Sequence, residues 1–376
     1  MATEEYDYYG EEEVNATENS TGWYLEDNAV CPPSTLPHQT IIIPSLYFLI
    51  FFIGFVGNLF VIIVMANKHK SRRLVDTFVI NLAVADLVFV CTLPFWAVSA
   101  VMDNRWDFGD FLCKMSSYVI AVNRYSNIFF LTCMSVDRYM AVVRMLDSRF
   151  LRSNQCVRLT CGIIWVASFF LGIPSLIYRS TMKYESSHLC VEATQSKFFN
   201  GISLISLFLT FVLPVVIIVF CYCSILAKLR HPSALKTTKP DPRRRHSIKI
   251  VFTIILAFLV SWLPFNVFKS IHIALSLASS DLLRPQADFS CATQTVLTQG
   301  LTLSSCLAFL NSCANPAIYI FLDRHFRHRS LHLCFGWLDP QAKHRRRTVA
   351  SSSMETWDSS SGSSFTRSRL SSIHIQ

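Results

Sequence analysis

The residues able to do chemistry in this chain sit inside stretches that are otherwise apolar. Asp86 is the only carboxylate at the centre of any such stretch, and Asn58, Asn123, Asn127, Asn311, Ser312 and Asn315 lie at comparable depth in theirs. An acid in that setting has to be paired, protonated or bound to a cation. Amides and a hydroxyl from Asn123, Asn127, Asn311 and Ser312 around Asp86 suit Na⁺, which prefers oxygen ligands. A hydrogen-bonded or neutral Asp86 with no ion is the other reading, and no cofactor is expected beyond that ion. Asp137 and Arg138 are adjacent, with Tyr139 next. An arginine that can pair with its neighbour or swing to another partner is a candidate switch. Arg124 is a permanent charge in an apolar segment with no acid nearby, a costly arrangement. With Lys269 it is a candidate receptor for an anion. No nucleophile–base set or metal cluster appears, so an enzyme has no support.

The elements that must position these residues follow from the apolar pattern. Hydrophobic residues make up 52% of the 376-residue chain and charged ones 16%, against about 25% charged in soluble domains. The apolar residues are bunched into blocks at 41–66, 74–101, 110–143, 156–178, 198–229, 248–277 and 292–322. Each block is long enough to cross about 30 Å of hydrocarbon as a helix, and none has the short alternation of a membrane strand. The expected fold is all-α, a seven-transmembrane helix bundle over 41–322. Lys and Arg crowd 67–73, 144–158, 228–249 and the C-terminal tail, while the first thirty residues have neither. The basic side is then cytoplasmic, the N-terminus is extracellular, and the expected location is the plasma membrane. The net charge of +9 divides between a basic inner face and an acidic outer tail. Anionic lipid accounts for the basic runs, and nucleic acid is not needed. No cleavable signal peptide is visible at the start, so the first span acts as the targeting signal.

Residues 1–40 read as an acidic, glycosylated tail, with acceptor triplets at Asn15 and Asn19. Residues 1–30 hold nine acids and no base, and Tyr6, Tyr8 and Tyr9 lie among them, a setting that favours sulfation. Such a tail would steer a cationic protein. Residues 323–335 read as a juxtamembrane amphipathic helix, with Phe326, Leu331, Leu333 and Phe335 in lipid and Arg324, Arg327 and Arg329 facing headgroups. Cys334 is either a palmitoylation site or a plain apolar cysteine. Residues 336–376 are a Ser/Thr-rich cytoplasmic tail, open to phosphorylation. Cys31, Cys113, Cys190 and Cys291 fall on the outer, oxidising side, and their spacing leaves three pairings open.

Pro94, Pro174, Pro214, Pro264 and Pro316 each interrupt a span, and Trp262 stands just before one of them. Gly57-Asn58, Leu82-Ala83-Val84-Ala85-Asp86, Asp137-Arg138-Tyr139, Trp165, Pro214 with Tyr222, Trp262-Leu263-Pro264 and Asn315-Pro316-Ala317-Ile318-Tyr319 occur in successive spans. In that order they resemble the rhodopsin-like G-protein-coupled receptors over about residues 40–335. Thr92-Leu93-Pro94-Phe95-Trp96, the loop Trp106-Asp107-Phe108-Gly109, and Cys31 matched with Cys291 are similar to chemokine receptors. The resemblance implies two bridges, Cys113 to Cys190 and Cys31 to Cys291. It implies that Trp262, Pro264, Asn315, Pro316 and Tyr319 couple a pocket to the inner face, where Arg138 leaves Asp137 and Tyr222 receives it. It also implies a heterotrimeric G protein, of inhibitory type, as partner. Two departures matter. Ser305 stands where chemokine receptors carry a glutamate, and Ile120 where amine receptors carry an aspartate, so the acidic anchors of those families are expected to be missing.

Trp96, Ile120, Arg124, Lys269, His272 and Ser305 are the candidate ligand residues. Arg124 lies about 21 Å above Arg138 along the helix, in the upper half of the bundle. It either receives an anionic ligand group, in its sharpest form a peptide's C-terminal carboxylate, or pairs internally with Asp86 or backbone carbonyls. The expected ligand is a small basic secreted chemokine-like protein or peptide. A lipid or small carboxylate would use Arg124 too, and a chemokine scavenger would bind without signalling, although the intact Asp137-Arg138-Tyr139 argues against that. A transporter would need repeat symmetry or paired ionisable groups through the membrane, and neither is visible.

Overall fold

A computed structural model of the chain describes residues 37–66, 74–144, 153–184, 187–192, 197–230, 242–279 and 291–338. Seven helices in it are long and apolar enough to cross a membrane: Gln39–Ala66, Val75–Val101, Gly109–Arg144, Asn154–Tyr178, Phe198–Arg230, His246–Ala278 and Cys291–Leu322. They are called spans one to seven. Their ends fall within two residues of the apolar blocks, because a hydrocarbon slab leaves a helix no other way to satisfy its backbone. Phe52, Phe170, Phe198, Phe220 and Phe321 project from the outside of the bundle, the face lipid would cover. The interior is a continuous apolar core in which Phe130, Phe258, Trp262, Tyr319 and Phe326 are buried.

Irregular backbone accompanies two of the five prolines, Pro94 and Pro214, whereas Pro174, Pro264 and Pro316 lie inside continuous helices. Span two breaks at Cys91 and Thr92, where the Thr92 hydroxyl donates to the Phe89 carbonyl at 2.8 Å just before Pro94. Span five widens into a π-turn at Phe208–Val212 immediately before Pro214, and span three ends in another at Met140–Arg144. Polar ties lock the spans together. The Asn58 amide donates to the carbonyls of Gly54 at 2.8 Å and Ser312 at 2.9 Å, joining spans one and seven. The Trp165 indole donates to Asn81 Oδ1 at 2.8 Å, joining spans four and two.

Between spans four and five the chain forms a hairpin rather than an irregular loop. Strand β1, Arg179–Tyr184, pairs antiparallel with β2, Ser187–Glu192, with Thr181 opposite Cys190. Cys190 is disulfide-bonded to Cys113 near the start of span three. The Thr181 amide donates to Asp110 Oδ1 at 2.9 Å, and the Trp106 amide to the His188 carbonyl at 2.7 Å. Gly109, with φ of 80°, turns the chain into span three, and its carbonyl accepts from the Trp106 indole at 3.0 Å. A side chain at that φ would be strained, which gives the Trp106-to-Gly109 run its physical reason. Cys291 is disulfide-bonded; Cys31 lies outside the described residues, as do Asn15, Asn19, Tyr6, Tyr8, Tyr9 and the tail beyond 338.

The helix after span seven runs from Arg324 to Leu338, three residues past the expected end. Its orientation differs from the amphipathic expectation. Phe326 is fully buried against Phe60 at 5.9 Å and Tyr319 at 6.2 Å, not in lipid. Arg329 is not at a headgroup. Its Nη1 lies 3.1 Å from Asp76 Oδ2, and Asp76 is 1% exposed. Leu333 packs on the core as well, whereas Leu331 is exposed as expected. The apolar face of this helix has protein to cover, at the junction of spans one, two and seven, and that contact takes precedence over lipid. Nothing is described of the Cys334 side chain.

Candidate functional site

A cavity of about 380 Å³ opens at the hairpin end of the bundle, lined by residues of all seven spans and of the hairpin. Of the expected ligand residues, Trp96, Ile120, Arg124, Lys269 and Ser305 line it, and His272 does not. Trp262 lies deepest on span six, about two turns below Lys269. Arg124 donates through Nη2 to the Tyr125 hydroxyl at 2.8 Å, and that hydroxyl is 3.2 Å from Ser206 Oγ. The guanidinium carbon stands 4.8 Å from the Tyr125 ring centroid, 5.9 Å from Trp262 and 5.8 Å from Phe265, within cation–π range. Arg124 makes no hydrogen bond to Asp86 or to a backbone carbonyl among the described residues.

Two charged lining residues escaped the sequence reading. Arg179, the first residue of β1, donates to the Cys190 carbonyl at 3.2 Å and lies over the Trp96 ring at 5.8 Å. Glu192, the last residue of β2, holds Lys269 at 2.8 Å, with the two side chains 25% and 23% exposed. Ser305 and Ile120 leave the spans without the acidic anchors of chemokine and amine receptors, but the cavity does hold an acid, which comes from the hairpin and not from a span. Burial raises the Glu192 carboxyl, but Lys269, Arg179 and Arg124 together outweigh it and hold the group below the usual carboxylate range. Burial likewise lowers Arg179, and Glu192 opposes that. A signal was available in the sequence. Cys190 pairs to span three, so residues just beside it are pinned at the mouth. Among the described residues the cavity thus carries three cations and one anion, a surplus that favours an anionic guest.

Below the cavity, Asp86 is fully buried. Its Oδ1 accepts from Asn123 and Asn127 at 2.9 Å each and from Ser312 at 3.0 Å, and its Oδ2 accepts from Asn315 at 2.9 Å. Asn315 thus stands where Asn311 was expected, and Asn311 makes no bond to Asp86. The amide oxygens of Asn127, Asn311 and Asn315 are buried with no hydrogen-bond partner. This is a donor shell around a carboxylate, the hydrogen-bonded alternative of the sequence reading. It fits Na⁺ with amides turned oxygen-inward, and the three orphaned oxygens are the atoms that would serve. Groups of three or more His, Cys, Asp or Glu able to hold a metal are absent among the described residues.

At the far end of span three, Arg138 Nη2 lies 2.9 Å from Asp137 Oδ2. Tyr139 meets the Phe220 ring at 5.7 Å and Tyr222 the Phe252 ring at 5.3 Å. The hydroxyls of Tyr222 and Tyr319 and the Trp262 indole nitrogen are buried without partners. Buried donors left unmet are costly, so these groups favour an arrangement that gives them partners. Pro264 and Pro316 lie within the unbroken helices of spans six and seven.

The sequence pattern of the 7 transmembrane receptor (rhodopsin family) matches residues 57–319. Individual relatives align over nearly the whole chain. Probable G-protein coupled receptor 25 of Mus musculus is 40% identical over 89% of each chain. Apelin receptor A of Danio rerio is 38% identical over 88% of each. The type-1 angiotensin II receptor of Bos taurus is 33% identical over 89% of this chain and 92% of its own.

Proposed function

This chain belongs to the rhodopsin family of seven-transmembrane receptors, and from that premise we propose that it is a cell-surface receptor for a secreted peptide or small chemokine-like protein bearing an anionic end. It is a multi-pass plasma-membrane receptor and not an enzyme, with a peptide ligand and a heterotrimeric G protein as the partners its family implies. The observation that carries the ligand reading is the cavity in which Arg124, Arg179 and Lys269 outnumber Glu192. A C-terminal carboxylate is planar and bidentate, matching a guanidinium that is already braced by the Tyr125 hydroxyl and by the rings of Tyr125, Trp262 and Phe265. A lipid or small carboxylate would meet the same cations, but relatives named for apelin and angiotensin II favour the peptide.

The N-terminus and hairpin face outward, where the Cys113–Cys190 bridge is chemically at home. The acidic tail, sulfated at Tyr6, Tyr8 or Tyr9 and glycosylated at Asn15 or Asn19, meets the basic body of the ligand. Ligand in the cavity stabilises an arrangement in which span six swings below Pro264 and Arg138 leaves Asp137 for Tyr222. The opened cleft takes the C-terminal helix of an inhibitory-type G-protein α subunit. Asp86 with its amides holds Na⁺ in the resting arrangement. Receptor kinases and arrestin then act on the Ser/Thr-rich tail, and lipid attached at Cys334 anchors the last helix. The salt bridge at Asp137 and Arg138, the resting half of such a switch, supports signalling over silent scavenging.

Cells expressing the chain should be exposed to small basic secreted proteins and peptides, each with a free and an amidated C-terminus, with suppression of cAMP as readout. Free acids are expected to respond. The response should fall on amidation and in Arg124→Gln at equal surface expression. Equal potency of acid and amide would overturn the anchor.

A further inference from the structure

Among the described residues Glu192 is the one carboxylate that lines the cavity, and it sits where a ligand anion is expected. It is two residues beyond Cys190, whose disulfide to Cys113 fixes it to span three. Its oxygen lies 2.8 Å from Lys269 Nζ on span six, and the charges of Arg179 and Arg124 act on it as well. Three cations converging in a partly dry space repel one another, and a carboxylate among them relieves that cost. Glu192 cannot diffuse away. The short segment from Cys190 keeps its effective concentration high.

We propose that Glu192 is a tethered stand-in for the ligand's anionic group, occupying Lys269 beside Arg124 and Arg179 until a ligand carboxylate displaces it. The inference rests on the anion-anchor reading above and adds to it a specificity rule. A guest must outcompete an acid that is already present, so a lone monocarboxylate binds poorly. A carboxylate backed by further contacts, as at the end of a peptide, succeeds. Once displaced, Glu192 stays at the mouth, where it disfavours a second acid next to the first and favours a basic group there.

The test uses purified full-length protein and two probes of nearly one shape, 4-phenylbutyrate and its neutral amide 4-phenylbutyramide. Binding is read as the concentration-dependent rise in unfolding temperature. In Glu192→Gln the apparent dissociation constant for the carboxylate should fall about tenfold, equivalent to about 1.4 kcal/mol. The amide should be unaffected. Glu192→Asp, a shorter acid with less reach toward Lys269, should fall between, and it keeps the test open if the glutamine variant folds poorly. Unchanged or weaker carboxylate binding in Glu192→Gln, or an equal gain for the amide, would overturn the proposal. Arg124→Gln separates the two levels. If it abolishes carboxylate binding while Glu192→Gln changes nothing, the anchor stands and the stand-in fails. If carboxylate binding survives Arg124→Gln, the anchor itself fails. Absence of carboxylate binding in every form, the Glu192 variants included, counts against both.

Discussion

Replacing Asp86 by alanine is expected to be among the most damaging single changes in the bundle, and the structure says roughly how damaging. The carboxylate is fully buried and accepts four hydrogen bonds, from Asn123, Asn127, Ser312 and Asn315. Alanine leaves these four donors facing a void. Each buried group left unmet costs about 1–3 kcal/mol. Water entering the vacated space recovers part of that, because the site is polar enough to hold it. A net loss of about 3 kcal/mol remains, which corresponds to a fall in unfolding temperature on the order of 6 °C. Asp86→Asn keeps one acceptor oxygen and loses the charge, so about half that fall is expected. The assay is thermal unfolding of purified receptor followed with a thiol-reactive fluorogenic dye, since Cys161, Cys221 and Cys306 are buried and free. Repeating it with Na⁺ exchanged for a large organic cation adds a second reading. If Na⁺ binds here, the wild type gains stability with Na⁺ and both variants lose that gain. An Asp86→Ala protein as stable as wild type would refute the reasoning, because it would mean the four donors never depended on the carboxylate.

Two further outcomes can be read with the same assay. A methyl group added at Gly300 would sit 2.3 Å from Phe268 Cε1 and 2.5 Å from Cζ, so Gly300→Ala should separate spans six and seven at a cost of about 1–3 kcal/mol. Trimming the ring with Phe268→Ala should relieve it, whereas Gly162→Ala, with open space around the new methyl, should be neutral or slightly stabilising. The Glu192–Lys269 contact should be insensitive to mild acid. The Glu192 carboxyl is held below its ordinary range, so its contribution is complete above that range and is lost as pH falls through and below it. The stability difference between wild type and Glu192→Gln should therefore be constant from pH 8 to about 5 and shrink below about 4. A difference that disappears near neutrality would refute this assignment to Glu192.

What the sequence makes legible is what the bilayer enforces. The seven spans are readable to within two residues, since length and apolarity are dictated by hydrocarbon thickness. Asp86, Asn123, Asn127 and Ser312 are readable as a group because polar side chains in such spans have few places to go. Discrimination between Asn311 and Asn315 is not, because one turn of helix separates them and only packing decides which faces Asp86. Glu192 and Arg179 are harder to read for another reason: the Cys113–Cys190 bridge marks the neighbourhood of Cys190 as lying at the mouth, but the approach of Glu192 to Lys269 and of Arg179 to Trp96 is set by strand register, which has no local signature. Phe326 and Arg329 mislead for a third. An amphipathic pattern states that one face avoids water, but it does not state whether lipid or protein covers that face.

The three residues from Cys190 to Glu192 reach from a covalent bond on span three to an ion pair on span six. A rod fastened near one end turns about the fastening, and its free end travels farther than its middle. For span six the fastening is at Lys269, and the Pro264 position is one turn or so below it. A small tilt there is magnified over the remaining length toward His246. The hairpin strap thus ties the outer end of span six to span three for as long as the ion pair holds, and a ligand that takes Lys269 from Glu192 unfastens it.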